Sequence, residues 1–92
     1  MADGLRLDKW LWFARFFKTR GMAQRAIDDG AVLVNGHAVG KSARMVKPGD
    51  VVVFPAGPYW RQVTVVALGV RRGPASEAAT LYSDALFVDP PL

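Results

Sequence analysis

A basic, aromatic-rich stretch, RLDKWLWFARFFKTRGMAQRAIDDG from Arg6 to Gly30, runs without a linker into a glycine-punctuated stretch, AVLVNGHAVGKSARMVKPGDVVVF, ending at Phe54. The hydrophobic period changes from helical to alternating at that junction, which confines this half of the chain to short helices followed by antiparallel strands. Leu7, Trp10, Leu11, Ala14 and Phe17 recur at helical spacing and predict one amphipathic helix ending near Phe17. Trp12, Phe13 and Phe16 fall on the other side, around Lys9, so this helix is expected to have neighbours on two sides. Stacking on bases is the rival use for Trp10 and Trp12.

Thr19 is placed to cap a second helix from Arg20 to Asp29, with Met22, Ala23, Ala26 and Ile27 inward and Gly30 at the stop. Val32 to Val34, the Asn35-Gly36 turn and His37 to Val39 then read as a hairpin. Lys47-Pro48-Gly49-Asp50 predicts a second turn before a buried strand over Val51 to Phe54. PAGPY at 55–59 breaks the pattern, and a strand is expected from Trp60 to Leu68 with Val63, Val65 and Ala67 on one face. Arg71 and Arg72 precede Gly73-Pro74, after which Ala75 to Tyr82 is predicted as about two helical turns, and the tail DALFVDPPL as irregular. The fold class is α+β: two N-terminal helices packed on a short, mostly antiparallel sheet, with a short C-terminal strand and helix.

Charge narrows the partner. Nine of the residues between Arg6 and Phe54 are Lys or Arg, against the four acids Asp8, Asp28, Asp29 and Asp50. A polyanion suits such a stretch, and the formal net charge of +4 is compatible with nucleic acid or an anionic membrane surface. No apolar run reaches the roughly 18 residues of a membrane span, and no signal core follows the first residues, so no membrane partner is expected. Cysteine is absent, which excludes disulfides and thiolate chemistry. His37, the only histidine, has no evident catalytic partner in sequence, and Ser42, Ser76 and Ser83 lack a nucleophile-elbow context. The chain therefore reads as non-enzymatic, with no cofactor and no metal. Asp28-Asp29 reads as a helix end and Asp50 as a turn residue.

Two helices set side by side would present Arg6, Lys9, Lys18, Arg20 and Arg25, and the start of the second helix would offer backbone N–H groups to phosphate. Thr19 adds a hydroxyl. Gln24 can donate to phosphate, ribose or a base edge, and Asn35, Lys41, Arg44 and Lys47 extend the strip along the hairpin and its loop. A rigid basic surface of this kind suits A-form RNA, which is read through shape, phosphates and 2′-hydroxyls. The plainer alternatives are solvated helix residues, with Arg6 and Lys9 paired to Asp3 or Asp8, a cap at Thr19, and a left-handed turn residue at Asn35.

The ordered set RLDKWL, KTRGMAQRAIDDG, VLVNGHAV and KPGDVV resembles the S-four-type RNA-binding domain, or alpha-L motif. The opening RLDKWLWFARFFKTR is similar to the heat shock protein 15 family of ribosome-associated proteins, as is the later VALGVRRGPASEAATLY. The resemblance implies a domain over about residues 5–55 and a C-terminal extension over 56–92 packed on it. It also implies docking on structured RNA of the large ribosomal subunit, and on tRNA, in rescue of stalled nascent-chain complexes after stress. A cytoplasmic monomer is expected. Better-known members continue into a long basic helix, where this sequence has an apolar, proline-ended tail, so lower affinity or a changed target is expected. The competing expectations are a detached RNA-binding subunit of an RNA-modifying enzyme and a salt-resistant protein-interaction module built on an exposed Trp12, Phe13 and Phe16 patch.

Overall fold

A computed structural model describes residues 4–41 and 43–90. The suggested partner Asp3, the residue Ser42 and the last two residues of the tail lie outside them. Strand β1 (Leu5–Arg6) leads directly into helix α1 (Leu7–Phe13), followed by α2 (Arg20–Asp28), β2 (Leu33–Val34), β3 (His37–Ala38), β4 (Met45–Val46), β5 (Val51–Ala56) and β6 (Tyr59–Val65). Helix α3 (Ala75–Ala78) continues into a 3-10 turn over Ala79–Leu81, and β7 (Tyr82–Val88) completes the order. Five antiparallel strands form one sheet in the order β3-β2-β5-β6-β7, while β1 and β4 make a separate two-stranded ribbon.

The first helix stops earlier than its apolar spacing suggests. Phe16 N–H donates to the Leu11 carbonyl at 3.1 Å and Arg15 N–H to the Trp12 carbonyl at 3.1 Å, with Arg15 left-handed at φ 65. These paired bonds are the Schellman arrangement, which normally takes glycine at the position Arg15 holds. With arginine there, the stop is invisible to a composition-based reading, and the expected helix to Phe17 is corrected to Phe13. Phe16 folds back over Trp10, ring centroids 6.2 Å apart, supplying the apolar contact that accompanies this ending. Helix α2 ends by the same device in its usual form: Gly30 sits at φ 76, and Ala31 N–H reaches the Ala26 carbonyl at 3.0 Å.

Between helices and sheet lies one core of Leu7, Trp10, Leu11, Ala23, Ile27, Val32, Val52, Phe54, Val63 and their neighbours. Trp10 is wholly buried, and its indole N–H donates to the Ala67 carbonyl at 2.9 Å, so it packs rather than stacks on bases. Phe13 is buried, and Trp12 and Phe16 pack against the core, so the expected exposed aromatic patch is not formed. Met22, expected inward, is half exposed, because Ala23 and Ile27 carry the buried face of α2.

The second correction concerns residues 55–59 and the tail. Pro55 and Ala56 continue β5, and only Gly57 and Pro58 turn the chain into β6. Most of the tail expected to be irregular lies in β7, which pairs with β6 from Trp60↔Val88 to Val65↔Tyr82. A register shift between Gln62 and Thr64 places an extra residue in β7 around Asp84, which sits at φ 54. Such a bulge interrupts the period-2 alternation that identifies a strand. No helix among the described residues is long and apolar enough to cross a membrane.

Candidate nucleic-acid interface

Asp8 is the organising residue of the basic face. It lies in the first turn of α1 and is fully buried, a costly position for a carboxylate unless its oxygens are satisfied. They are. Arg6 donates to it through Nε at 3.2 Å and NH2 at 3.1 Å, and the Lys9 main-chain N–H donates at 2.8 Å. From α2, Arg20 Nε donates at 3.3 Å and Gln24 Nε2 at 3.0 Å. Burial pushes the Asp8 carboxyl up, but the bonds from Arg6 and Gln24, the charge of Arg20 and the Lys9 amide together hold it below the usual carboxylate range.

Three predicted site residues, Arg6 of β1 and Arg20 and Gln24 of α2, are thus drawn onto one anion. Arg6 and Arg20 stay partly exposed, with donors left for an external group. Thr19 caps α2, its hydroxyl oxygen accepting the Met22 N–H at 3.1 Å, and the helix presents its positive end beside Arg20. Lys18 is exposed on the link before it, and Lys9 lies over the Phe13 ring at 5.7 Å.

The loop after β3 joins this face through the main chain. Leu7 N–H donates to the Arg44 carbonyl at 2.7 Å, and β1 pairs with β4 through Arg6↔Met45, which sets Arg44 beside the start of α1. Lys41 and Arg44 are exposed and line an open concavity of about 540 Å³ with Ala38, Val39, Gly40 and Ala43.

Asn35 belongs to a different group. It sits left-handed at φ 53, its Nδ2 donates to Asp50 Oδ1 at 3.1 Å, and its Oδ1 accepts the Val51 N–H at 2.9 Å. Lys47 bonds the same buried Asp50 through its amide at 3.0 Å and its ammonium at 3.3 Å. Asn35 and Lys47 are therefore committed to the turn, and Arg25 is exposed on α2 outside the Asp8 group. In the sequence, Asp8 stands out only as a pairing partner for Arg6 or Lys9. Its one available signal was that it is the sole acid between Arg6 and Arg25, a span holding six Lys or Arg residues. No group of three or more His, Cys, Asp or Glu side chains that could hold a metal ion occurs among the described residues.

The S4 domain family model matches residues 5–52, from the start of β1 into β5. The chain is 44% identical to Heat shock protein 15 of Escherichia coli K12 over 83 residues, covering 90% of this chain and 62% of that protein. The chain thus spans about three fifths of the length of that relative. It is 38% identical over 79 residues to the RQC P-site tRNA stabilizing factor of Halalkalibacterium halodurans, covering 85% of this chain and 86% of that protein. A solved structure described as the trimeric structure of Vibrio cholerae Heat Shock Protein 15 superposes with a TM-score of 0.82 at 35% identity, over 87% of this chain and 80% of that one. That trimer runs against the expectation of a monomer. The α+β fold, the order of motifs and these likenesses agree, and the chain belongs to the heat shock protein 15 family, with an S4 domain over residues 5–52.

Proposed function

We propose that this protein is a non-enzymatic RNA-binding protein that docks on structured ribosomal RNA of the large subunit, in the cytoplasm. It acts there on stalled complexes that retain nascent chain and tRNA. The observation that carries this reading is the convergence of Arg6, Arg20 and Gln24 on the buried Asp8. The carboxylate fixes three flexible donors before any ligand arrives, lowering the ordering cost of binding. Their free N–H groups, with Lys9, Lys18, the Thr19 end of α2, Arg25, Lys41 and Arg44, form the RNA-contacting surface. Asn35 contributes by holding the turn behind it. The name of the Halalkalibacterium halodurans relative, a P-site tRNA stabilizing factor, supports the choice of tRNA, and that of the Escherichia coli relative, a heat shock protein, supports the link to stress.

Residues 5–55 act as the binding domain and 56–92 as an extension clamped to it. The Trp10 bond to Ala67 and the Arg72 NH1 bonds to the Trp12 and Phe17 carbonyls at 2.6 and 3.0 Å support that division. The test is co-sedimentation with large subunits that are empty or hold peptidyl-tRNA. Preference for the occupied subunit is expected. Equal binding to both would remove the stalled-complex role, and binding to neither would remove the ribosomal target.

A further inference from the structure

Arg61, in β6, is placed unlike any other cation among the described residues. Its guanidinium carbon lies over the Phe16 ring at 5.5 Å and over the Phe87 ring at 5.4 Å, between an aromatic of the α1–α2 link and one of β7. Its Nε is buried and has no hydrogen-bond partner among the described residues. A buried donor left unpaired costs about 1–3 kcal/mol, so native structures rarely keep one without a use. Arg61 lines an open cavity of about 290 Å³ with Ala14, Arg15, Phe16, Ala75, Ala78 and Tyr82. No carboxylate is among these lining residues.

Arg15 lines the same cavity. The Schellman ending of α1 holds it at φ 65, a backbone conformation unfavourable for arginine, and its NH1 donates to the Gly73 carbonyl at 2.9 Å. Arg72 lies close by over Trp12, with its pKa lowered first by burial and then by the positive charge of Arg15. Arg15, Arg61 and Arg72 form no salt bridge among the described residues, whereas Arg6, Arg20 and Arg71 each do. Arg15 and Arg61 thus line a cavity with no carboxylate in its wall, the nearby Glu77 being paired with Arg71. Guanidinium groups fixed by stacking and by backbone contacts are suited to a phosphate, which accepts several N–H bonds at once.

We propose that the cavity between Arg15 and Arg61 binds a phosphate group, as a second anion site sharing no residue with the Asp8-organised surface. The two sources of that chemistry are a phosphodiester of bound RNA and a free phosphate. The cavity is at the small end of the range for ligand pockets, sufficient for a phosphate and part of its nucleoside.

The experiment follows the arginine Nε–H signals of the 15N-labelled full chain by NMR, in separate titrations with inorganic phosphate and with a short RNA duplex at constant ionic strength. Saturable shifts of Arg61 and Arg15 with inorganic phosphate, while Arg20 moves less, are expected, with at least a tenfold weaker response in Arg61→Lys and Arg15→Gln. If RNA produces the same shifts at tenfold or lower concentration, the phosphate is that of RNA. If phosphate shifts them and RNA does not, the site takes a free phosphate. Absence of a saturable shift of Arg61 with either probe overturns the proposal, and leaves the Asp8 surface untouched because none of its residues lines the cavity.

Discussion

Gln24 of α2 donates to the Asp8 carboxylate of α1 at 3.0 Å, joining two helices through a buried anion from positions 16 residues apart. The same carboxylate holds Arg6 and Arg20, so one residue governs both helix packing and the aim of the proposed RNA donors. Asp8→Ala is therefore expected to destabilise the protein by about 2–3 kcal/mol, the scale for hydrogen bonds to a buried charged group. It should also weaken RNA binding by releasing Arg6 and Arg20. Urea denaturation and a binding isotherm on the same variant check the two effects together. Arg20→Ala should carry a smaller destabilisation of its own, because Arg20 Nε holds the same carboxylate.

Acid sensitivity follows from the same contacts. Asp8 and Asp50 are both buried, which alone would raise their pKa, yet the Arg6, Gln24, Arg20 and Lys9 contacts in one case and the Lys47 and Asn35 contacts in the other lower it. A carboxylate whose folded pKa lies below its unfolded value of about 3.9 adds stability above that pH and loses it as pH falls through the folded value. The melting temperature should accordingly be insensitive to these groups above about pH 5 and should drop below about pH 4. In Asp8→Asn the acid limb should flatten, which melting curves across that range would show.

Asn35 answers to a different test. Its left-handed backbone favours Asn or Gly, while both ends of its amide are bonded, to Asp50 and to Val51. Asn35→Gly keeps the backbone and loses both bonds, at a cost of about 1–2 kcal/mol. Asn35→Ala adds backbone strain and should cost more. The order Asn over Gly over Ala in thermal stability checks the assignment of Asn35 to the turn.

Ile27 has no exposed surface and lies in the core between α2 and the sheet. Ile27→Ala should cost about 2–5 kcal/mol, the range for truncating a buried aliphatic side chain. Denaturant midpoints measure it, and the m-value should stay constant if only packing is lost.

Much of this architecture was legible in the sequence because local chemistry and tertiary packing agree there. Asn35-Gly36 forms its turn with both residues at positive φ, Thr19 caps α2, and Gly30 ends it. The misses share a physical origin. Arg15 takes a position where glycine is the usual marker, and the bulge at Asp84 spoils the alternation of β7, whose Leu86 and Phe87 are exposed. The basic residues of the interface could be named from sequence, but their grouping could not. Only the folded chain shows that Arg6, Arg20 and Gln24 share Asp8 while Asn35 and Lys47 share Asp50.

The cations around α1 and α2 are proposed to hold RNA, and the half-buried Lys9 with the exposed Lys18 and Lys41 tests this most cleanly because none forms a salt bridge among the described residues. The decisive measurement is the affinity for large ribosomal subunits of the Lys9→Gln, Lys18→Gln, Lys41→Gln triple variant against the parent, over a range of salt concentrations. RNA contact through these cations predicts a folded variant with at most a small loss of thermal stability from the Lys9–Phe13 contact, weaker binding, and a log-log salt slope shallower by about 2–3, near one per lost phosphate contact. Unchanged affinity and slope in a folded triple variant would contradict it.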